Sequence, residues 1–137
     1  MVELIVGAKG SGKTKRLVDD LNSKAQDEHN NVICIQKGDR LNSWVQYNIR
    51  MVDISDYPVE SYGELLAFIA GLNAKDYDIS HIYIDSITKI VEDDQEALFK
   101  FLVALEGMSE KQNFDAEIMY SCPLEEINDS VRKFVKA

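Results

Sequence analysis

Gly7-Ala8-Lys9-Gly10-Ser11-Gly12-Lys13-Thr14 follows Val2-Glu3-Leu4-Ile5-Val6 directly, and leads into a run with Leu17, Val18, Leu21 and Ala25 on one face. The first run is short, apolar and β-branched, as a buried strand is. The last has helical spacing from Lys13 to about Glu28. The stretch between them matches G-x-x-x-x-G-K-[ST] at every specified position, in the strand–loop–helix context that gives this pattern its meaning. Glycines let the backbone curl so that successive N–H groups converge on an anion. The helix begins at the loop, so its positive dipole end faces the same point. Lys13 is placed to neutralise the β- and γ-phosphates of a nucleotide, and Thr14 offers a hydroxyl to magnesium. A glycine turn that merely joined strand to helix would not need the Lys-Thr pair. Gly7 to Thr14 is therefore the expected nucleotide site. Lys9 reads either as a phosphate contact or as a solvated loop lysine.

The rest of the chain alternates strands with helices. Asn30 and Asn31 break the first helix, and Val32-Ile33-Cys34-Ile35 reads as a second buried strand closed by the turn Lys37-Gly38-Asp39. Residues 40–49 admit a short helix in which Trp44 packs in the core or a groove. Arg50 to Ile54 reads as a short edge strand. Ser61-Tyr62-Gly63-Glu64 is a capping box ahead of an apolar helix. His81 to Ile84 is a further strand, Glu92 to Gln112 a helix, and Ala116 to Tyr120 the last strand. After Pro123, Leu124, Ile127, Val131, Phe134 and Val135 predict a closing amphipathic helix. This order predicts a three-layer α/β P-loop NTPase fold with a mostly parallel sheet of about five strands. With 137 residues and no linker or repeat, residues 1–137 read as a single nucleotide-binding domain.

Composition narrows the partners. Asp and Glu outnumber Lys and Arg 24 to 15, a formal charge of −9, which disfavours nucleic acid and anionic lipid over most of the surface. A local basic patch at Lys9, Lys13, Lys15 and Arg16 is the expected exception. The N-terminal apolar run is too short for a signal peptide or membrane span, and Cys34 and Cys122 read as buried thiols, so a cytoplasmic location is expected. Neither histidine stands at zinc-ligand spacing from either cysteine.

A magnesium ion held at a P-loop needs a carboxylate from a neighbouring strand end. Asp85, after Ile82-Tyr83-Ile84, is the candidate. Ser86 follows where many ATPases carry a glutamate that orients the attacking water, and a serine cannot do that work.

The P-loop together with Ile84-Asp85-Ser86-Ile87 resembles the RecA-like branch of P-loop ATPases, where an aspartate–serine pair follows the corresponding strand. The resemblance implies ATP and Mg2+ as ligands, with at most one strand between or beside the two strands that carry the P-loop and Asp85. It also implies a water-positioning glutamate at the end of the strand after the first helix. Here that region is Ile35-Gln36-Lys37-Gly38-Asp39, and Asp39 is the nearest carboxylate. Thymidine kinase is similar across the P-loop and the Lys37-Gly38-Asp39-Arg40 exit, but carries aspartate–glutamate in place of Asp85-Ser86 and four zinc-binding cysteines that this chain lacks.

These readings converge on an ATP-binding protein, either a slow RecA-like ATPase or a nucleotide-dependent switch, with a small-molecule kinase of the nucleoside type as the alternative. Lys13 and Asp39 are the catalytic candidates; Thr14 and Asp85 are the metal candidates. ATP is favoured over GTP because no Asn-Lys-x-Asp-like motif is present. A homo-oligomer or a protein partner fits the missing base. Ser121 reads either as a γ-phosphate sensor or as a strand-ending serine. Arg132 and Lys133 read as a finger across a subunit interface or as a solvated helix face. Tyr47 and Tyr57 are candidates for stacking on a base.

Overall fold

A computed structural model describes residues 1–137. The strands are β1 (Val2–Gly7), β2 (Val32–Gln36), β3 (Arg50–Asp53), β4 (His81–Ile84) and β5 (Asp115–Ser121). The helices are α1 (Lys13–Ala25), α2 (Tyr62–Lys75), α3 (Gln95–Gln112) and the four-residue α4 (Asp129–Arg132). All strands lie in one sheet of order β1-β5-β4-β2-β3, and every pairing is parallel. One strand, β5, separates the P-loop strand from the strand that ends at Asp85.

Strand alternation sorts the core into two layers. Ile5, Cys34, Tyr83 and Met119 pack under α1 with Leu17, Val18 and Leu21. Leu4, Ile33, Ile35, Ile82, Ile84 and Ile118 point to the other face and pack against α2 and α3 through Leu65, Ile69, Leu98, Leu102 and Leu105. Crossover connections place helices on both faces of a parallel sheet, which is why its central strands are mostly apolar on both faces. Half of the capping box forms, with Ser61 Oγ accepting from the Glu64 N–H at 3.1 Å; the Glu64 carboxylate accepts instead from the Glu60 N–H at 2.9 Å, one residue before the cap. No helix is long and apolar enough to cross a membrane.

The closing helix differs from expectation. Leu124–Glu126 is a single 3-10 turn, Ile127 is extended, and only Asp129–Arg132 is helical. Phe134 and Val135 then run beside the outer edge of β1. There the Leu4 N–H donates to the Phe134 carbonyl at 2.7 Å and the Lys136 N–H to the Leu4 carbonyl at 2.8 Å. The edge strand's free backbone groups outcompete helix continuation, because each would otherwise stay unpaired beside the core. Of the two positions expected for Trp44, core or groove, it takes the groove: it is 55% exposed and lines a surface groove with Val18 and Asp19. Asn22 pins its segment to α1, donating to the Trp44 carbonyl at 2.9 Å and accepting from the Gln46 N–H at 3.0 Å. Leu41 and Ile49 take the buried positions of that loop instead.

One buried polar cluster ties β5 to α1 and to the C-terminal tail. The Tyr83 hydroxyl donates to Asp20 at 2.7 Å, and Lys136 Nζ lies 3.2 Å from Glu117 Oε1. Burial, then the hydrogen bond shared with Asp20, pushes the Glu117 carboxyl up to about 8. Burial would also raise Asp20, but hydrogen bonds from Glu117 and Tyr83 outweigh it and hold it low. A proton is therefore retained by this carboxylate pair in the folded chain. The folded chain binds it more tightly than the unfolded chain, where the value is 4.5, so stability falls as pH rises between that value and about 8. Urea unfolding measured across this window should show the decline in the parent chain. In Glu117→Gln, which keeps a donor for Asp20, the decline should flatten; an unchanged slope would mean that another group carries it.

Candidate functional site

β1 and β4 both end at the same cleft, because parallel strands bring their C-terminal ends to one edge of the sheet. The loop after β1 is built for tight curvature. Gly10 and Gly12 stand at φ 84° and 88°, values that L side chains rarely adopt. A Cβ on Gly7 would come within 2.4 Å of Ser11 Oγ, so a larger residue there would force the Ser11 side chain to move. The Ala8 carbonyl accepts from the Ser11 N–H at 3.1 Å and from Lys13 Nζ at 2.8 Å. α1 starts from Gly12 with no side-chain cap and no acid in its first turn. Its first N–H groups and dipole are left to a ligand.

The cleft has a volume of about 570 Å³. Lys9, Lys13, Arg40 and Lys89 bring four positive charges to its wall, with no acidic side chain among the lining residues. Gly10, Gly12, Thr14, Ser86, Thr88 and Ser121 add small polar groups. Lys13 is only 7% exposed, and burial lowers its pKa. A desolvated ammonium held on one carbonyl is poised for an anion.

Gly7, Ala8 and Ser11 shape the loop rather than face the cleft, and Lys9 lies in the wall. The expected basic patch is divided: Lys15 pairs with Asp19 at 2.6 Å and Arg16 donates to the Ala137 carbonyl at 2.6 Å, both away from the cleft. Arg40 and Lys89 stand in their place. Asp39 is exposed on the turn after β2 and is not part of the cleft wall. Arg132 donates to the Ile127 carbonyl at 2.9 Å, and Lys133 sits over the rings of Phe99 and Phe134, 5.3 Å from each centroid. Tyr57 packs against Phe68, and Tyr47 is fully exposed.

Asp85 emerges at the end of β4, only 4% exposed. Both its oxygens are taken by one Arg40 Nη2, at 2.9 and 3.1 Å, and Ser86 Oγ donates to Oδ1 at 3.2 Å. Ser86 itself is held at φ 49°, a strained position for a non-glycine residue. Cys34, buried beneath, is pushed up to about 12 by burial and by the Asp85 charge, so it stays a neutral thiol. Thr14 Oγ1 has only a weak partner, Met119 Sδ at 3.8 Å. A hydroxyl and a carboxylate at the edge of a cationic phosphate cleft form the oxygen donor set that magnesium takes, so these residues fit a metal–nucleotide complex. Arg40, Thr88 and Lys89 were not singled out as site residues from sequence. The available signal was position: each lies just past the C-terminal end of β2 or β4, the edge that faces the P-loop.

A KaiC-like protein from the hyperthermophilic archaeon Pyrococcus horikoshii OT3 superposes with a TM-score of 0.72 over 97% of this chain and 68% of its own, at 16% identity. The fold is RecA-like. At this identity the likeness speaks for architecture alone, since one fold carries many activities. It supports the RecA-like resemblance and adds nothing to the one with thymidine kinase. No protein-family model matches the chain, and no curated protein does.

Proposed function

We propose that this chain is a magnesium-dependent ATP-binding protein of the cytoplasm, acting as a single domain, whose isolated turnover is slow. The observation that carries the reading is the cleft: four cations and an uncapped helix N-terminus around a positive-φ glycine loop, with no acid in the wall. Arg40 is paired with Asp85 behind the wall, while Lys9, Lys13 and Lys89 have no carboxylate partner, and a polyanion suits such a lining. Magnesium, when bound with Thr14 and Asp85, supplies charge neutralisation at the phosphate oxygens. The chain's own groups do the rest: loop N–H groups and Lys13 hold the phosphates, while Lys9, Lys89 and Ser121 line the way to the terminal one. Trp44, the only tryptophan, lines a groove that shares Thr14 with the cleft. Its emission should therefore change when ATP and Mg2+ are added together, and much less when EDTA is present. No response and no calorimetric heat with either ATP or GTP would refute nucleotide binding.

One observation keeps a kinase in view. The same groove, about 380 Å³ and lined by Thr14, Lys15, Val18, Asp19 and Trp44, has room for an acceptor next to the phosphates. Its one carboxylate, Asp19, is tied to Lys15. Labelled ATP offered with a panel of nucleosides separates the readings: label on a nucleoside supports the kinase, and label on inorganic phosphate alone supports the ATPase.

A further inference from the structure

Asp85 and Arg40 form an ion pair in the middle of the proposed metal site. It is not needed to hold the two strands together. β2 and β4 already pair in register from Val32↔His81 to Ile35↔Ile84, and the Asp85 N–H donates to the Ile35 carbonyl at 2.9 Å. The pair is also lopsided. The carboxylate is 5% exposed while the guanidinium is 43% exposed and lies in the cleft wall. A buried carboxylate without a counter-charge is costly, so in the nucleotide-free chain something cationic must sit on Asp85. Arg40 is that group, and it occupies both oxygens that a metal shell would use.

We propose that Arg40 is a stand-in cation: it neutralises Asp85 while the cleft is empty and passes to the terminal phosphate when the metal–nucleotide complex takes up Asp85. The proposal rests on the nucleotide reading above. Both Asp85 oxygens accept from the Arg40 Nη2, so a metal's oxygen shell competes with Arg40 for them and one cation must leave. Arg40 is free to leave, because nearly half of its side chain faces solvent and its backbone lies on the turn beyond β2. Once released, it stands in the wall of a cleft that now holds the negative charge of the terminal phosphate. A planar guanidinium, which gives the carboxylate only its Nη2, then has several N–H donors to offer the terminal phosphate. The hand-over makes the metal-free, nucleotide-free state self-satisfied. It also makes the chain poor at binding a divalent ion alone.

The test uses binding rather than turnover. Manganese titrated into the nucleotide-free chain, read by electron paramagnetic resonance, should bind weakly to the parent. It should bind roughly tenfold or more tightly to Arg40→Gln, the factor expected when a charged hydrogen-bonded competitor is removed. Arg40→Gln combined with Asp85→Asn should lose that gain. Arg40→Lys, which retains charge and so guards against loss of folding, should show a smaller gain, since an ammonium on a shorter side chain still counters the Asp85 charge. By calorimetry with magnesium, Arg40→Gln should weaken a non-hydrolysable ATP analogue at least several-fold more than ADP. Manganese affinity unchanged in both Arg40 single variants, or an equal loss for the analogue and ADP, would overturn the proposal. If the parent itself binds no nucleotide, the functional reading fails and the hand-over with it; the manganese arm still reports separately on whether Arg40 blocks Asp85.

Discussion

Lys13→Ala is expected to abolish magnesium–ATP binding while leaving the fold intact. The side chain makes one hydrogen bond, to the Ala8 carbonyl, and sits at the first position of α1, where alanine is an excellent helix former. Little in the empty structure depends on it. The bound state depends on it heavily. Burial already disfavours its charge, so an incoming polyphosphate meets an ammonium that has little water left to lose. Removing one member of a buried, hydrogen-bonded charge pair costs about 2–5 kcal/mol or more. At the low end that is roughly a 30-fold loss of affinity. Calorimetry should show no resolvable heat, while the circular dichroism spectrum and the midpoint of thermal unfolding stay close to the parent's. Unchanged ATP affinity in this variant would remove the P-loop from the nucleotide site. A collapsed spectrum would show instead that the loop needs Lys13 for its shape.

The parts of this site that were legible in the sequence are those set by local rules. The loop from Gly7 to Thr14 declares itself because its φ values demand glycine and its context is strand, then helix. Asp85 was legible because a carboxylate after an apolar strand must emerge at an edge, and parallel topology fixes which edge. The core strands followed from their short, continuous apolar runs. What escaped was decided by competition between distant segments. The spacing of Leu124, Ile127, Val131 and Phe134 is helical, yet the chain there answers to Leu4, more than a hundred positions away, whose edge groups lacked partners. The basic patch was read from adjacency in sequence, which put Lys15 and Arg16 beside Lys13. A helix turns successive residues to different sides, so these two left the cleft, and Arg40 and Lys89 entered it from other loops. Arg40 stands next to Asp39 in sequence, and the carboxylate drew attention although the guanidinium reaches the site.

That exchange bears on the rate of hydrolysis. The second large effect expected is a turnover by the isolated chain far below the median enzyme rate of about 10 s⁻¹. Ser86 occupies the place of a water-orienting glutamate, and its hydroxyl already donates to Asp85. Gln36, at the end of β2, is 1% exposed and committed: its amide donates to Asn42 at 2.7 Å and its carbonyl accepts from the Leu41 N–H at 3.1 Å. Asp39 is solvent-exposed outside the cleft wall, so it would need its turn to close over the ligand before it could orient a water. Charge neutralisation by Lys13, Arg40 and magnesium survives all of this and favours the transition state. General-base assistance, worth roughly 10²–10⁴-fold, does not. A single-turnover assay with labelled ATP should therefore give slow release of phosphate from the purified chain. Cell extract should accelerate it if a partner supplies the missing group. Asp39→Asn decides the local alternative. A further drop of about a hundredfold would make Asp39 the base after turn closure. Hydrolysis at several turnovers per second that Asp39→Asn leaves unchanged would mean that some other carboxylate performs the task, and slow turnover would no longer describe this protein.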